Sequence, residues 1–174
     1  MSGHASTRDV ALPSVALLAR YNDGHSFTDS YVTEIDGTVP LAAFVEAFYT
    51  TWLFKLERFI LTWLVRRPST DEQARALAAG KASAFAAWRV ENRNDHQLLM
   101  NAGRTCSWFM VEPVVGRERA ATRLYFGSAV IAKADAAGGK PELGFVFNAL
   151  LGFHKLYSRV LLSAARARLA RRTR

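Results

Sequence analysis

Four histidines, one cysteine and a scatter of carboxylates are the side chains that could do acid–base or nucleophilic chemistry in this chain. His154 stands out because it falls on the apolar side of a long helical pattern, one turn from Leu150 and three residues from Tyr157. A histidine so placed can be a core imidazole bonded to a carbonyl or tyrosine, a polar anchor facing a pocket, or a general acid–base at the pocket mouth. His96 follows Asp95 at a hairpin, where exposure is the simpler account, and His4 and His25 fall in loops. No His-Glu-x-x-His spacing occurs, so a metal site is not expected. Cys106 has no second cysteine to pair with, which excludes an intramolecular disulfide and a Cys-rich zinc site. On a strand it reads as a small buried hydrophobe, since a nucleophile needs an activating base beside it. Glu46, Glu57, Glu91 and Glu112 could supply a carboxylate pair, but no spacing brings two together, and surface charge is the simpler role. No Gly-x-Gly-x-x-Gly run follows a strand and no phosphate loop occurs, so no cofactor is expected.

The elements that must position these groups follow from periodicity. Phe27, Tyr31 and Ile35 alternate with polar neighbours and predict a first strand over 27–35, closed by Asp36-Gly37. Leu41, Val45, Phe48, Trp52, Leu56, Phe59 and Trp63 recur at three- and four-residue spacing, predicting helix, either continuous or broken near Thr50-Thr51. Ser69, Thr70 and Asp71 offer a cap for a short helix to about Ala79, stopped by Gly80. The period then changes to two. Strands are expected over 84–92, 96–102, 105–114 and 122–133, and their short connections argue for an antiparallel meander. The last segment, 143 to about 171, predicts a long helix with an apolar surface wide enough to be clamped between layers.

With 174 residues, 50% apolar and 22% charged, the chain is one globular domain's worth, with a loose N-terminus over 1–9, a body over 10–170 and a basic tail over 171–174. The net charge is +8, and Lys155 to Arg174 holds seven basic residues and no acid. The rest of the chain is therefore nearly neutral. Such a block is a solvated helix end or a surface for anionic lipid; nucleic acid is the less favoured partner. Val10 to Leu18 is interrupted by Pro13 and Ser14 and lacks a preceding basic cluster, so no secretory signal is expected. The longest apolar stretch, Phe59 to Val65, is far short of the roughly 20 residues that span a bilayer, which points to the cytoplasm.

The order strand, helices, antiparallel sheet, long terminal helix resembles the α+β helix-grip fold of START-like, Bet v 1-like and polyketide-cyclase-like (SRPBCC) domains. More narrowly, the chain is similar to an uncharacterised bacterial family of that group. The resemblance is carried by HSFTDSYVTEI (25–35), WRVENRNDHQLLMNAGRTCSWFMV (88–111), TRLYFGSAV (122–130) and FNALLGFHKLYSRVLLSAAR (147–166). It implies a sheet curved around the C-terminal helix and a cavity between them, and it brings no catalytic residues. Relatives in the wider group have more strands than the five expected here, which bears on the cavity's size. The ligand implied is a small hydrophobic or lipid-like molecule, and the lining candidates are Trp88, His96, Met100, Trp108, Met110, Tyr125, His154 and Tyr157. Pleat parity sorts strand residues into two sets without saying which faces inward. Two other functions stay open: a cyclase-, dehydratase- or hydrolase-type enzyme using His154, and a peripheral membrane or partner-binding protein using the basic terminus. The first strand could also pair between copies in a homo-oligomer.

Overall fold

The computed structural model describes residues 6–24, 26–54, 70–131 and 145–172, with the side chains of the terminal helix described from 155 to 171. Seven antiparallel strands form one open sheet: β1 (Arg8–Asp9), β2 (Phe27–Asp36), β3 (Ala84–Phe85), β4 (Trp88–Arg93), β5 (Gln97–Ala102), β6 (Thr105–Pro113) and β7 (Ala121–Val130). Their order across the sheet is β1-β2-β7-β6-β5-β4-β3. Among the described residues the helices with both ends described are α1 (Leu41–Tyr49), α2 (Asp71–Ala78) and α3 (Phe145–Arg172), residues 52–54 are also helical, and a short 3-10 helix covers Leu17–Tyr21. The class is α+β, as expected.

Two strands were not expected. The 84–92 run is a tight hairpin, not one strand, because Ala86 takes a left-handed φ of 52° and turns β3 back onto β4. Arg8 and Asp9, expected inside a loose N-terminus, pair with Val32 and Tyr31. β1 thereby occupies part of the β2 edge. Farther along that edge, the Arg166 side chain donates to the Glu34 carbonyl at 2.8 Å. Both features obstruct the open edge that a second copy would need for pairing.

Local chemistry explains the helix ends. At α1, the Thr50 hydroxyl donates to the Glu46 carbonyl (2.7 Å) and the Thr51 hydroxyl to that of Phe48 (2.9 Å). Thr51 Oγ1 then accepts from the Phe54 amide at 3.2 Å, so the threonine pair breaks the helix and caps the turn after it. Residues 55–69, including Phe59 and Trp63, lie outside the described residues. α2 opens with a reciprocal capping box between Thr70 and Gln73. It closes at Gly80 (φ 74°), where Arg93 donates to the Leu77 and Ala78 carbonyls at 2.7 and 2.5 Å.

The sheet has a core on each face. On the helix face, Tyr31, Ile35, Leu98, Met100, Phe109, Val111, Leu124 and Phe126 meet α1, α2 and the C-terminal half of α3. Phe48 sits at the centre of this aromatic cluster, 4.9 Å from Phe109 and 4.6 Å from Phe126 between ring centroids. On the opposite face, Val32, Leu99, Cys106, Trp108, Met110, Tyr125 and Ala129 are covered by Val10 to Tyr21.

Candidate functional site

The N-terminal cover of the outer face is fixed by polar bonds that leave little for a ligand. Gln97 Oε1 accepts from the Leu17 amide and from Trp108 Nε1, each at 2.9 Å, while its Nε2 donates to the Val15 carbonyl at 3.0 Å. Trp108 and Leu18 are fully buried. Gly127 makes room for them: a Cβ there would stand 2.7 Å from the Asp29 carbonyl, 3.0 Å from the Trp108 ring and 3.1 Å from Leu18. Beside them, Glu91 accepts from Tyr21 (2.7 Å), Arg20 (2.8 Å) and Asn101 (3.0 Å). Burial alone would raise the Glu91 carboxyl, but these three bonds outweigh it and hold it below its ordinary value. Burial, then the Glu91 hydrogen bond, pushes the Tyr21 phenol up. Burial likewise pushes the Cys106 thiol up, with the Tyr21 hydrogen bond opposing it, so the thiol stays protonated and unreactive.

An open cleft of about 560 Å³ adjoins this network, lined by 87, 89–91 and 101–103. Its size misleads. Glu91 is already engaged as described, and Asn101 donates to Glu91 and accepts from the Gly103 amide at 2.8 Å.

The second hollow is smaller, about 190 Å³, and lies along the edge of β2 where β1 ends, beside Lys155 of α3. Phe27, Thr28, Asp29, Ser30 and Tyr31 of β2 form one wall, Asp9 and Val10 another, and Lys155 of α3 closes it. The Lys155 ammonium lies 5.6 Å from the Phe27 ring centroid and has no ion pair among the described residues. Arg159, one turn on, grips Asp9 through Nε at 3.0 Å and the terminal nitrogen at 2.5 Å, and its guanidinium carbon is 5.9 Å from the Tyr31 ring centroid. Asp29 accepts from the Ser128 amide (3.0 Å), the Ser128 hydroxyl (2.6 Å) and the Tyr31 hydroxyl (3.0 Å). Burial, then the Asp29 charge, pushes the Tyr31 phenol up. Tyr31 therefore remains a protonated donor at neutral pH, and the Ser128 hydroxyl donates directly to a carboxylate with no imidazole between them.

Comparison with protein-family models, curated proteins and solved structures finds no match for this chain.

The expected lining residues are divided by the sheet. Met100 belongs to the helix-face core, with Trp88 and Tyr157 packed at its margin. Trp108, Met110 and Tyr125 belong to the outer-face core, so they do not share a cavity with the first three. Tyr125 donates to Glu112 at 2.9 Å; burial, then Glu112, pushes its phenol up. His96 is exposed in the β4–β5 turn. His154 falls within α3, but its side chain lies outside the described residues, as do His4 and His25. Among the described residues no cluster of His, Cys, Asp and Glu could hold a metal, and no helix is long and apolar enough to cross a membrane. The residues missed by sequence reasoning are Phe27, Asp29, Lys155 and Arg159. Strand periodicity grouped Phe27 with Tyr31 and Ile35 but did not single out Asp29; the contact of Phe27 with Lys155 spans 128 positions, beyond any local pattern.

Proposed function

We propose that this chain is a binding module of helix-grip type, whose ligand is a small hydrophobic or lipid-like molecule held between the sheet and α3. The observation that supports it is the hollow between β2 and α3, walled by Phe27 and Tyr31 and edged by the Lys155 ammonium. At about 190 Å³ this open hollow seats one ring or the end of an alkyl chain, with the rest of a larger ligand lying outside its mouth, since a water occupies about 30 Å³ of liquid. The aromatic packing of Phe44, Phe48, Phe109 and Phe126 fills the space under α1, so the ligand's place is toward the Phe27 end. An apolar wall beside the Lys155 ammonium, which has no ion pair among the described residues, suits a ligand with an apolar body and a polar end.

The test is native mass spectrometry of gently purified protein, together with fluorescence titration of the apolar dye 8-anilinonaphthalene-1-sulfonate. Saturable dye binding is expected, weakened about tenfold by Phe27→Ala, which removes one wall. Absence of both bound mass and saturable dye binding overturns the reading, and so does dye binding that Phe27→Ala leaves unchanged.

A further inference from the structure

α3 also carries an exposed surface that begins beside the hollow at Lys155. Leu156 is 62% exposed and Val160 43%, and they lie one turn apart on its solvent side. They are not displaced core residues, because Leu161, Leu162, Ala165 and Leu169 already supply the buried side of the same helix. Lys155, Arg159, Ser163, Ala167 and Arg171 are exposed with them. Between Lys155 and Arg174 there is no acidic residue. Part of this charge is engaged internally, since Arg159 holds Asp9 and Arg166 turns to the Glu34 carbonyl. Lys155 and Arg171 have no ion pair among the described residues.

Charge and shape together select the occupant. A second copy docked about a two-fold axis would set this cationic face against itself. A protein partner would need a groove complementary to a convex rod. A bilayer needs none, and the face described over Lys155–Arg171 runs about 25 Å along the helix.

We propose that the solvent face of α3 docks on an anionic lipid surface. Leu156 and Val160 enter the boundary between headgroups and acyl chains, and Lys155 and Arg171 meet lipid phosphates. Lys155 also edges the hollow, so the Leu156 and Val160 variants, which do not line it, separate docking from the ligand reading.

Co-sedimentation of the full chain with phosphatidylcholine vesicles, with and without phosphatidylglycerol, tests it. The protein is expected to pellet only with the anionic vesicles, and less at high salt. Leu156→Glu with Val160→Glu should lower the partition coefficient about tenfold or more, and Lys155→Glu several-fold. Circular dichroism checks that the variants keep their fold. For a readout that does not depend on the double variant folding, Leu156→Trp should gain fluorescence quenching by brominated lipid. No pelleting with anionic vesicles, equal pelleting with neutral ones, or an undiminished double variant overturns the proposal. So does loss with Lys155→Glu alone while the double variant still binds, which would mark a purely acidic partner.

Discussion

The two faces of the sheet are built from alternate residues of the same strands, yet they finish differently. On the outer face, Gln97 satisfies the Trp108 indole, the Leu17 amide and the Val15 carbonyl, and Gly127 removes the one Cβ that would keep Leu18 and Trp108 apart. The chain's own N-terminal segment seals that surface. On the helix face, the aromatic packing is equally close around Phe48, but near Phe27 it gives way to a hollow bordered by Lys155 and Asp29. A surface closed by its own backbone serves stability; the surface left incomplete is where a ligand can add contacts. The order of strands therefore does not separate the residues under the N-terminal cover from those at the hollow. Adjacent positions do: Val32 packs under the N-terminal cover and Tyr31 walls the hollow.

The largest test of this contrast is Trp108→Ala, which should cost about 3–5 kcal/mol in denaturant unfolding while leaving dye affinity in the folded protein near that of the parent. A cost below about 1 kcal/mol would mean that the outer face is not a core. Next comes Gln97→Leu, which strands the Trp108 Nε1 donor, the Leu17 amide and the Val15 carbonyl at once. About 2 kcal/mol or more is expected, again read by unfolding. Glu91→Gln acts through pH. The folded Glu91 carboxyl titrates below its unfolded value of about 4.3, so its contribution is present above that pH and is lost as pH falls through the folded value. Melting temperatures across the acid range should thus fall less steeply in the variant, and an unchanged slope would mean that the bonds from Tyr21, Arg20 and Asn101 to Glu91 add nothing to stability. The smallest effect belongs to the helix face. Tyr31→Phe removes one hydrogen bond from an Asp29 that keeps both Ser128 donors, so about 1 kcal/mol or less is expected. Its larger consequence should be a change in dye affinity, because Tyr31 walls the hollow.

Much of the architecture was legible because it is local. The 27–35 strand, the Thr70 cap, the stop at Gly80 and the meander through β7 all follow from periodicity, turn chemistry or capping within a few residues. The errors are local chemistry overridden from outside. Nothing in Ala84 to Asn92 announces a left-handed Ala86, and a two-residue strand such as β1 has too short a pattern to detect. The candidate site was less legible. Parity grouped Trp108 with Met110 and Met100 with Leu98 correctly, but both sets are apolar, so neither declared its face. Choosing Trp108, Met110 and Tyr125 together with Met100 combined residues that the sheet holds apart.

Alone, the amino-acid order determined the alternation of each strand, the break and caps of the helices, and the concentration of positive charge after Lys155, since each is set by neighbours within a turn or a pleat. Only the tertiary structure decided which pleat meets α1 and α3, that Val10 to Tyr21 would cover the other, and that Lys155 and Arg159 would come to Phe27, Tyr31 and Asp9. Those outcomes depend on contacts between segments up to 150 positions apart, where burying a whole layer outweighs the preference of any single residue.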